Sequence, residues 1–338
     1  MLQTIPDSKA IFYIGVDDKT IDLFESQYSV PNGVSYNSYV IQDEKLAIMD
    51  TVDPAATEQW MENLMEVLGD RQPDYLIISH MEPDHAGSID ILTSAYPEMT
   101  LVGSAKALAM LPNFFRQVPT NPTIAVKEGD TLSLGEHTLH FVMAPMVHWP
   151  EVMVSYEAKE QMLFSADAFG KFGALDTDEP WTDEARRYYI NIVGKYGAPV
   201  QTLLKKAAGL QIRTICPLHG PILNGDLTPY LQKYQTWSSY QPEESGVLVA
   251  YASIHGNTAK AAEFLSEQLW ELGEQVTVLD LTRCDMSDAV QAAFRYDRMV
   301  LAAASYDGGV FLPMEEFLLH LRAEERRVGG ERRSRGTA

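Results

Sequence analysis

Apolar and polar positions in the first 145 residues of this 338-residue chain switch repeatedly between a period of two and a period near 3.6. Those are the patterns of half-buried strands and amphipathic helices. Ile11–Val16, Tyr36–Ile41 and Lys45–Val52 predict strands. Glu58–Leu68 predicts a helix whose apolar stripe is Trp60, Leu64, Val67 and Leu68. Asp74–Ser79 predicts a further strand, then helices over Gly87–Tyr96 and Ala105–Phe115 flank a short strand at Thr100–Val102. Thr123–Met143 alternates with turn signals at Glu128-Gly129-Asp130 and Gly135-Glu136, so it is expected to be β-rich.

Strands are expected at Val152–Glu157 and Gln161–Ser165. A long helical region follows over Asp183–Leu210, interrupted near Gly197-Ala198-Pro199. Thr214–Pro217 predicts a strand and Leu227–Tyr240 a helix. Gln241–Gly246 then has the composition of a linker. Beyond it the texture is plain βαβ: strands at Val247–Ala252, Gln275–Leu281 and Met299–Ala304, the last expected to be buried on both faces, and helices at Thr258–Leu272, Met286–Arg295 and Phe311–Leu321. The expected domains are therefore 1–245 and 246–322. Residues 323–338 hold five arginines and three glycines among almost no apolar side chains, a composition that adds no core-facing element. Their run Glu324–Gly330 resembles translated sequencing-adapter sequence, so the tail is expected to be disordered or artefactual.

Composition narrows the function. A formal net charge of −21 argues against nucleic acid and anionic membrane surfaces as partners. No apolar stretch reaches membrane-spanning length, and the first residues lack the pattern of a signal peptide, so a cytoplasmic protein is the default. Cys216 and Cys284 make neither a disulfide framework nor a Cys-rich metal site; both are expected to be small buried hydrophobes.

Chemistry concentrates at His80-Met81-Glu82-Pro83-Asp84-His85, where four potential metal ligands occupy six residues directly after the apolar run Tyr75–Ser79. A strand end is a rigid place from which to aim ligands at one point. His148 (in Met146–Pro150), Asp167 (in Ser165–Ala168) and His219 (before Gly220) each follow another β-type run in the same way. A two-metal site needs about six or seven such ligands, one of them bridging. His137 and His140 alternate along one strand without an acidic partner at a strand end, and are expected to be ordinary surface residues.

With these residues the chain resembles the metallo-β-lactamase superfamily over residues 1 to about 240, and within it the flavodiiron proteins (A-type flavoproteins). The usual hydrolases of that superfamily carry His-x-His-x-Asp-His for two zinc ions; Glu82 occupies the third slot here. Glutamate swaps a nitrogen ligand for a hard anionic oxygen, which favours iron over redox-silent zinc. The strings His148-Trp149-Pro150 and His219-Gly220-Pro221-Ile222 also match the flavodiiron pattern. The resemblance implies that His80, Glu82 and His148 hold one iron and that Asp84, His85 and His219 hold the other, with Asp167 bridging.

In the second half, Ser253-Ile254-His255-Gly256-Asn257-Thr258 lies between a strand and a helix N-terminus, where free N–H groups and the helix dipole suit an anion. It resembles the phosphate loop of flavodoxins. Ser305-Tyr306-Asp307-Gly308-Gly309 resembles the isoalloxazine-facing loop of the flavodiiron family, with Tyr306 flanking the ring. The implied fold class is α/β: an αββα metallo-β-lactamase-like sandwich followed by a partial doubly wound flavodoxin-like parallel sheet. A flavodoxin-like sheet has five strands in the order 2-1-3-4-5, whereas three βα units are recognised here. Met299–Ala304 is then an unpaired edge, and FMN is expected to bind weakly or not at all.

The resemblance implies two irons and FMN as cofactors, and reduction of dioxygen to water or of nitric oxide to nitrous oxide. It also implies electrons from a separate donor such as rubredoxin or a flavin reductase, and a head-to-tail homodimer. The alternative is a dizinc hydrolase of thioesters or lactams, against which Glu82 and the flavodoxin-like half both argue.

Overall fold

The computed structural model describes residues 3–6 and 8–325; of residues 3, 4 and 322–325 it describes only the backbone. The Arg/Gly-rich tail after residue 325 lies outside the described residues, and residues 323–325 extend the last helix, Leu312–Glu325. The chain divides into two compact units, residues 1–188 with 198–235, and residues 189–197 with 236–338.

The first unit holds two sheets packed face to face. Seven strands form one, in the order Gln3–Thr4, Ile11–Tyr13, Tyr39–Gln42, Leu46–Met49, Tyr75–Ile78, Thr100–Ser104 and Thr123–Val126. Six form the other: Thr131–Ser133, Thr138–Met143, Met153–Glu157, Met162–Phe164, Thr214–Cys216 and Leu223–Asn224. Ile41, Met49, Ile77 and Val102 from the first sheet meet Leu139, Phe141, Met153, Phe164 and Cys216 from the second in one dry core. Alternation along each strand dictates this, because every second side chain points at the opposing sheet. Helix Thr57–Leu68 buries Trp60, Leu64, Val67 and Leu68, the stripe the spacing indicates.

The second unit contains a three-stranded parallel sheet in the order Val276–Asp280, Glu244–Ala252, Tyr296–Ala303, the 2-1-3 start of a doubly wound sheet. Val247, Val249 and Tyr251 of the central strand pack with Ala262 of helix Asn257–Glu271. The central strand begins at Glu244, inside the segment that reads as a linker.

Three features depart from the sequence reading. The stretches Ile11–Val16 and Tyr36–Ile41 are each divided, and two short hairpins lie between them: Val16–Asp18 with Val34–Tyr36, and Leu23–Phe24 with Tyr28–Ser29. Strands of two or three residues are too short to display a period. The region Asp183–Leu210 is broken by a π-helical turn at Tyr189–Val193 and a 3-10 turn at Gly194–Tyr196, earlier than Gly197. Finally, the last strand is not buried on both faces. Met299 is 40% and Leu301 39% exposed, because among the described residues nothing pairs with its far edge.

That contrast is measurable. Leu248→Ala, at the centre of the sheet, is expected to cost roughly 2–5 kcal/mol in urea unfolding, and Leu301→Ala on the open edge about 0.5 kcal/mol. Equal losses would show that the edge strand is covered in solution.

Candidate metal centre

The seven candidate ligands sit at four places, all beyond the carboxyl ends of strands. His80 follows Tyr75–Ile78, and Glu82, Asp84 and His85 continue from it into the one-turn helix Pro83–Ala86. Proline suits that first helical position, where its missing N–H is not needed. His148 lies between Thr138–Met143 and Met153–Glu157, Asp167 follows Met162–Phe164, and His219 follows Thr214–Cys216. Met146 (φ 67°) and Ala166 (φ 51°) adopt left-handed backbone just before His148 and Asp167, a strain that folds retain at functional sites. Gly220, directly after His219, has φ 76°, and a Cβ there would come within 2.7 Å of Lys171 Cγ.

The side chains converge on two adjacent points. His80 Nε2 lies 3.1 Å from Glu82 Oε2 and 3.2 Å from Asp167 Oδ2. His148 Nε2 lies 3.0 Å and 3.2 Å from the same two oxygens. In the other half, His85 Nε2 is 3.2 Å from Asp84 Oδ2, 3.2 Å from Asp167 Oδ1 and 3.0 Å from His219 Nε2. His219 Nε2 is 3.1 Å from Asp84 Oδ2. Asp167 therefore turns one carboxylate oxygen to each half. Metal–ligand bonds of about 2.1 Å set at right angles place neighbouring ligand atoms about 3 Å apart, so these spacings match the edges of two coordination polyhedra.

Electrostatics lead to the same requirement. Six of the seven side chains are buried and Glu82 is nearly so. Both carboxylate oxygens of Asp84 and both of Asp167 lack a hydrogen-bond partner, which is costly for a buried anion unless a cation completes it. Burial would push His80 down, but the charge of Asp167 and contacts with Asp167, Glu151 and Glu82 carry it well above its usual value. Burial opposes the same rise in His85, which Asp84 and Asp167 lift to about 10, and in His148, which Asp167 and Glu82 lift to about 9. Burial would raise the Asp167 carboxyl, yet His80, His85 and His148 hold it well below its usual range. Glu82 is held at about 2, against burial, by His148 and His80. Protons on these imidazoles occupy the place that metal cations would take, and the donor set fits two metal ions.

Several supporting groups were not singled out from the sequence. Glu151 Oε1 lies 2.9 Å from His80 Nδ1 and accepts from the Met81 N–H. That contact turns His80 Nε2 toward the cluster, as carboxylates behind ligating histidines do. His219 Nδ1 donates to the Ser35 carbonyl at 2.8 Å, with the same effect. Asp50 accepts from the Ser79 N–H at 2.7 Å and anchors the strand end that presents His80. Burial pushes the Asp50 carboxyl up to about 6, against the hydrogen bonds from Ser79. Phe24, Tyr36 and Tyr188 pack around His219, and Trp149 stands edge-on to His80. Glu151 sits 71 residues from the histidine it orients, and no local spacing rule connects the two.

The two candidate flavin loops lie beyond neighbouring strands of the second unit. Gly256 caps helix Asn257–Glu271 with φ 84°, its N–H donates to Ser253 Oγ, and nothing lies within 4 Å of where its Cβ would be. Ile254, His255 and Asn257 are exposed beside it, and Thr258 is half-buried in the first turn. Ser305–Tyr306 and Gly309–Val310 form a tight hairpin around Asp307 and Gly308, both with positive φ, the Asp-Gly signature of a type I′ turn. Tyr306 is 55% exposed, with its ring edge toward Phe311.

Two residues outside these sites correct the sequence reading. His137 is not a surface residue. It is buried, with Nδ1 2.7 Å from Asp43 Oδ2 and Nε2 3.6 Å from Glu160, because the turn after Tyr39–Gln42 brings Asp43 against it. Cys284 is only half-buried, whereas Cys216 is in the core.

A family model described as "ODP family beta lactamase" matches residues 34–220, a span that takes in all seven clustered residues. The chain is 31% identical to a nitric oxide reductase of Moorella thermoacetica, over 86% of this chain and 75% of that protein. It is 30% identical to a putative diflavin flavoprotein A 1 of a Nostoc species, over 83% of this chain and 50% of that protein. The chain thus spans about half the length of the diflavin flavoproteins it matches. Among solved structures, rubredoxin oxygen:oxidoreductase from Desulfovibrio gigas superimposes with a TM-score of 0.87 at 28% identity, covering 95% of this chain and 82% of that one. With its β-lactamase-like domain and a flavodoxin-like unit after it, the chain belongs to the flavodiiron protein family.

Proposed function

We propose that this chain is a diiron, FMN-dependent oxidoreductase that reduces dioxygen to water, nitric oxide to nitrous oxide, or both. The observation that carries the reading is the pair of buried ligand clusters joined through Asp167, with Glu82 supplying an oxygen where the hydrolases of this fold supply a nitrogen. The names of the Moorella and Desulfovibrio relatives support both gases as substrates and a rubredoxin-type donor.

In this reading His80, Glu82 and His148 hold one iron, Asp84, His85 and His219 the other, and Asp167 spans them. When bound, the irons supply the redox chemistry and polarise the diatomic, and FMN supplies electrons one at a time. The protein's own part is orientation and exclusion. Glu151 and the Ser35 carbonyl fix the faces of His80 and His219. Phe24, Tyr36, Tyr188 and Trp149 keep bulk water from the histidines. The N–H groups of Asn257 and Thr258 in the first turn of the helix, with the Ser253 and Thr258 hydroxyls, suit a flavin phosphate at a helix N-terminus, and Tyr306 offers a ring to stack on the flavin. The electron donor is of the rubredoxin type or a flavin reductase, and the assembly is a head-to-tail homodimer.

Protein from iron-replete cells is expected to carry two irons per chain by metal analysis; two zinc ions and no iron would overturn the reading. Glu82→His is expected to shift the metal preference toward zinc and abolish reductase turnover, read by metal competition and by steady-state rates with each gas. Retained iron and full turnover would contradict this. Glu151→Gln, which keeps the shape and removes the charge behind His80, is expected to lower iron affinity roughly 10- to 100-fold, measured by chelator competition.

A further inference from the structure

His219 sits between the strands Thr214–Cys216 and Leu223–Asn224, where the chain forms neither helix nor strand. Its neighbours' peptide groups therefore need partners from elsewhere, and the segment from Ser35 to Tyr39 supplies them. The Gly220 N–H donates to Ser35 Oγ at 2.7 Å, and the Asn37 N–H donates to the Leu218 carbonyl at 2.8 Å. The Asn37 side chain then closes the turn. Its Nδ2 donates to the Pro217 carbonyl and to the Gly220 carbonyl, each at 2.8 Å. One amide thus ties together the two carbonyls that flank His219 in sequence.

Only an amide suits this place. The two carbonyls can accept but not donate, so both hydrogens of Nδ2 must face them. The remaining atom, Oδ1, accepts from the Tyr13 O–H at 3.0 Å, which fixes the orientation of the amide. Asn37 is fully buried, as are residues 217–220, and a buried carbonyl deprived of its donor is costly. The turn it closes has little latitude. His219 Nε2 lies 3.0 Å from His85 Nε2 and 3.1 Å from Asp84 Oδ2, so a shift of the turn moves one donor atom of that half away from the others. His80 and His148, in the other half, are carried by different segments.

We propose that Asn37 is a positioning residue of the metal centre. Through the Pro217 and Gly220 carbonyls it holds His219 where the metal shared with Asp84 and His85 needs it. The assignment rests on the two-iron reading, and Asn37 itself touches neither metal nor substrate.

Anaerobic ferrous iron titration of the metal-free full chain, with a competing chelator, tests it. Asn37→Asp keeps the shape but replaces both donors with an acceptor. It is expected to weaken one of the two iron equivalents roughly 10- to 100-fold while the other stays at its wild-type affinity. Tyr13→Phe leaves the amide in place and removes only the hydroxyl that orients it, so a loss of roughly 3- to 10-fold at the same equivalent is expected. Mössbauer spectra of the iron-loaded variants are expected to show one altered quadrupole doublet beside one of wild-type form. A general loss of stability would not produce that split. Far-UV circular dichroism checks folding, and if Asn37→Asp fails to fold, Tyr13→Phe decides. Two wild-type-like equivalents, or two equivalents weakened alike, would overturn the assignment and leave the two-iron reading standing. A wild-type chain that takes up fewer than two irons would overturn both.

Discussion

Asp167 has to address two ligand clusters with one carboxylate, and the first unit is arranged around that demand. One oxygen faces His80 and His148 while the other faces His85. A carboxylate can divide itself in this way only if its backbone is fixed against both sheets at once. His80 and its neighbours come from the first sheet, and His148, Asp167 and His219 from the second. The face-to-face core of Ile41, Met49, Phe141 and Phe164 fixes the separation of the sheets, and the strained residues Met146 and Ala166 set the final approach of their loops. Close packing makes such a core stiff, and that stiffness is what keeps donor atoms about 3 Å apart from chain segments more than 130 residues distant.

The first-rank ligands were legible because they obey a local rule: each follows a β-type run, and four of them fall within six residues. Helix Thr57–Leu68 was legible because its stripe has a clean period. Glu151, Asp50 and Ser35 were not, since each acts on a partner brought near only by the fold, and neither an acid in a loop nor the backbone carbonyl of a strand residue carries a signal of its own. His137 shows the same limit from the other side. Its alternation along a strand is that of a surface residue, and only the turn carrying Asp43 covers it.

The strand Tyr296–Ala303 shows that composition can describe a strand's chemistry without describing its surroundings. Met299, Val300, Leu301 and Ala302 read as a buried strand because central strands of parallel sheets are apolar on both sides. Burial, however, belongs to the neighbours. Val300 and Ala302 face helix Asn257–Glu271 and are partly covered, while Met299 and Leu301 are open. The hydrophobic pattern is that of a sheet interior, and the position is that of a sheet margin.

The division of the ligands between two sheets has a mechanical meaning. A pair of metal ions held at that rim would be a further cross-link between layers that adhere through an apolar core and a few hydrogen bonds, such as that of Tyr39 to the Pro217 carbonyl. It would join four chain segments from His80 to His219 at one end of the sandwich and leave the other end to clasps such as Asp43 with His137. Binding energy that favours the folded state over the unfolded one adds directly to stability. Iron supply would then set how firmly the two layers are shut, as well as how fast the centre turns over.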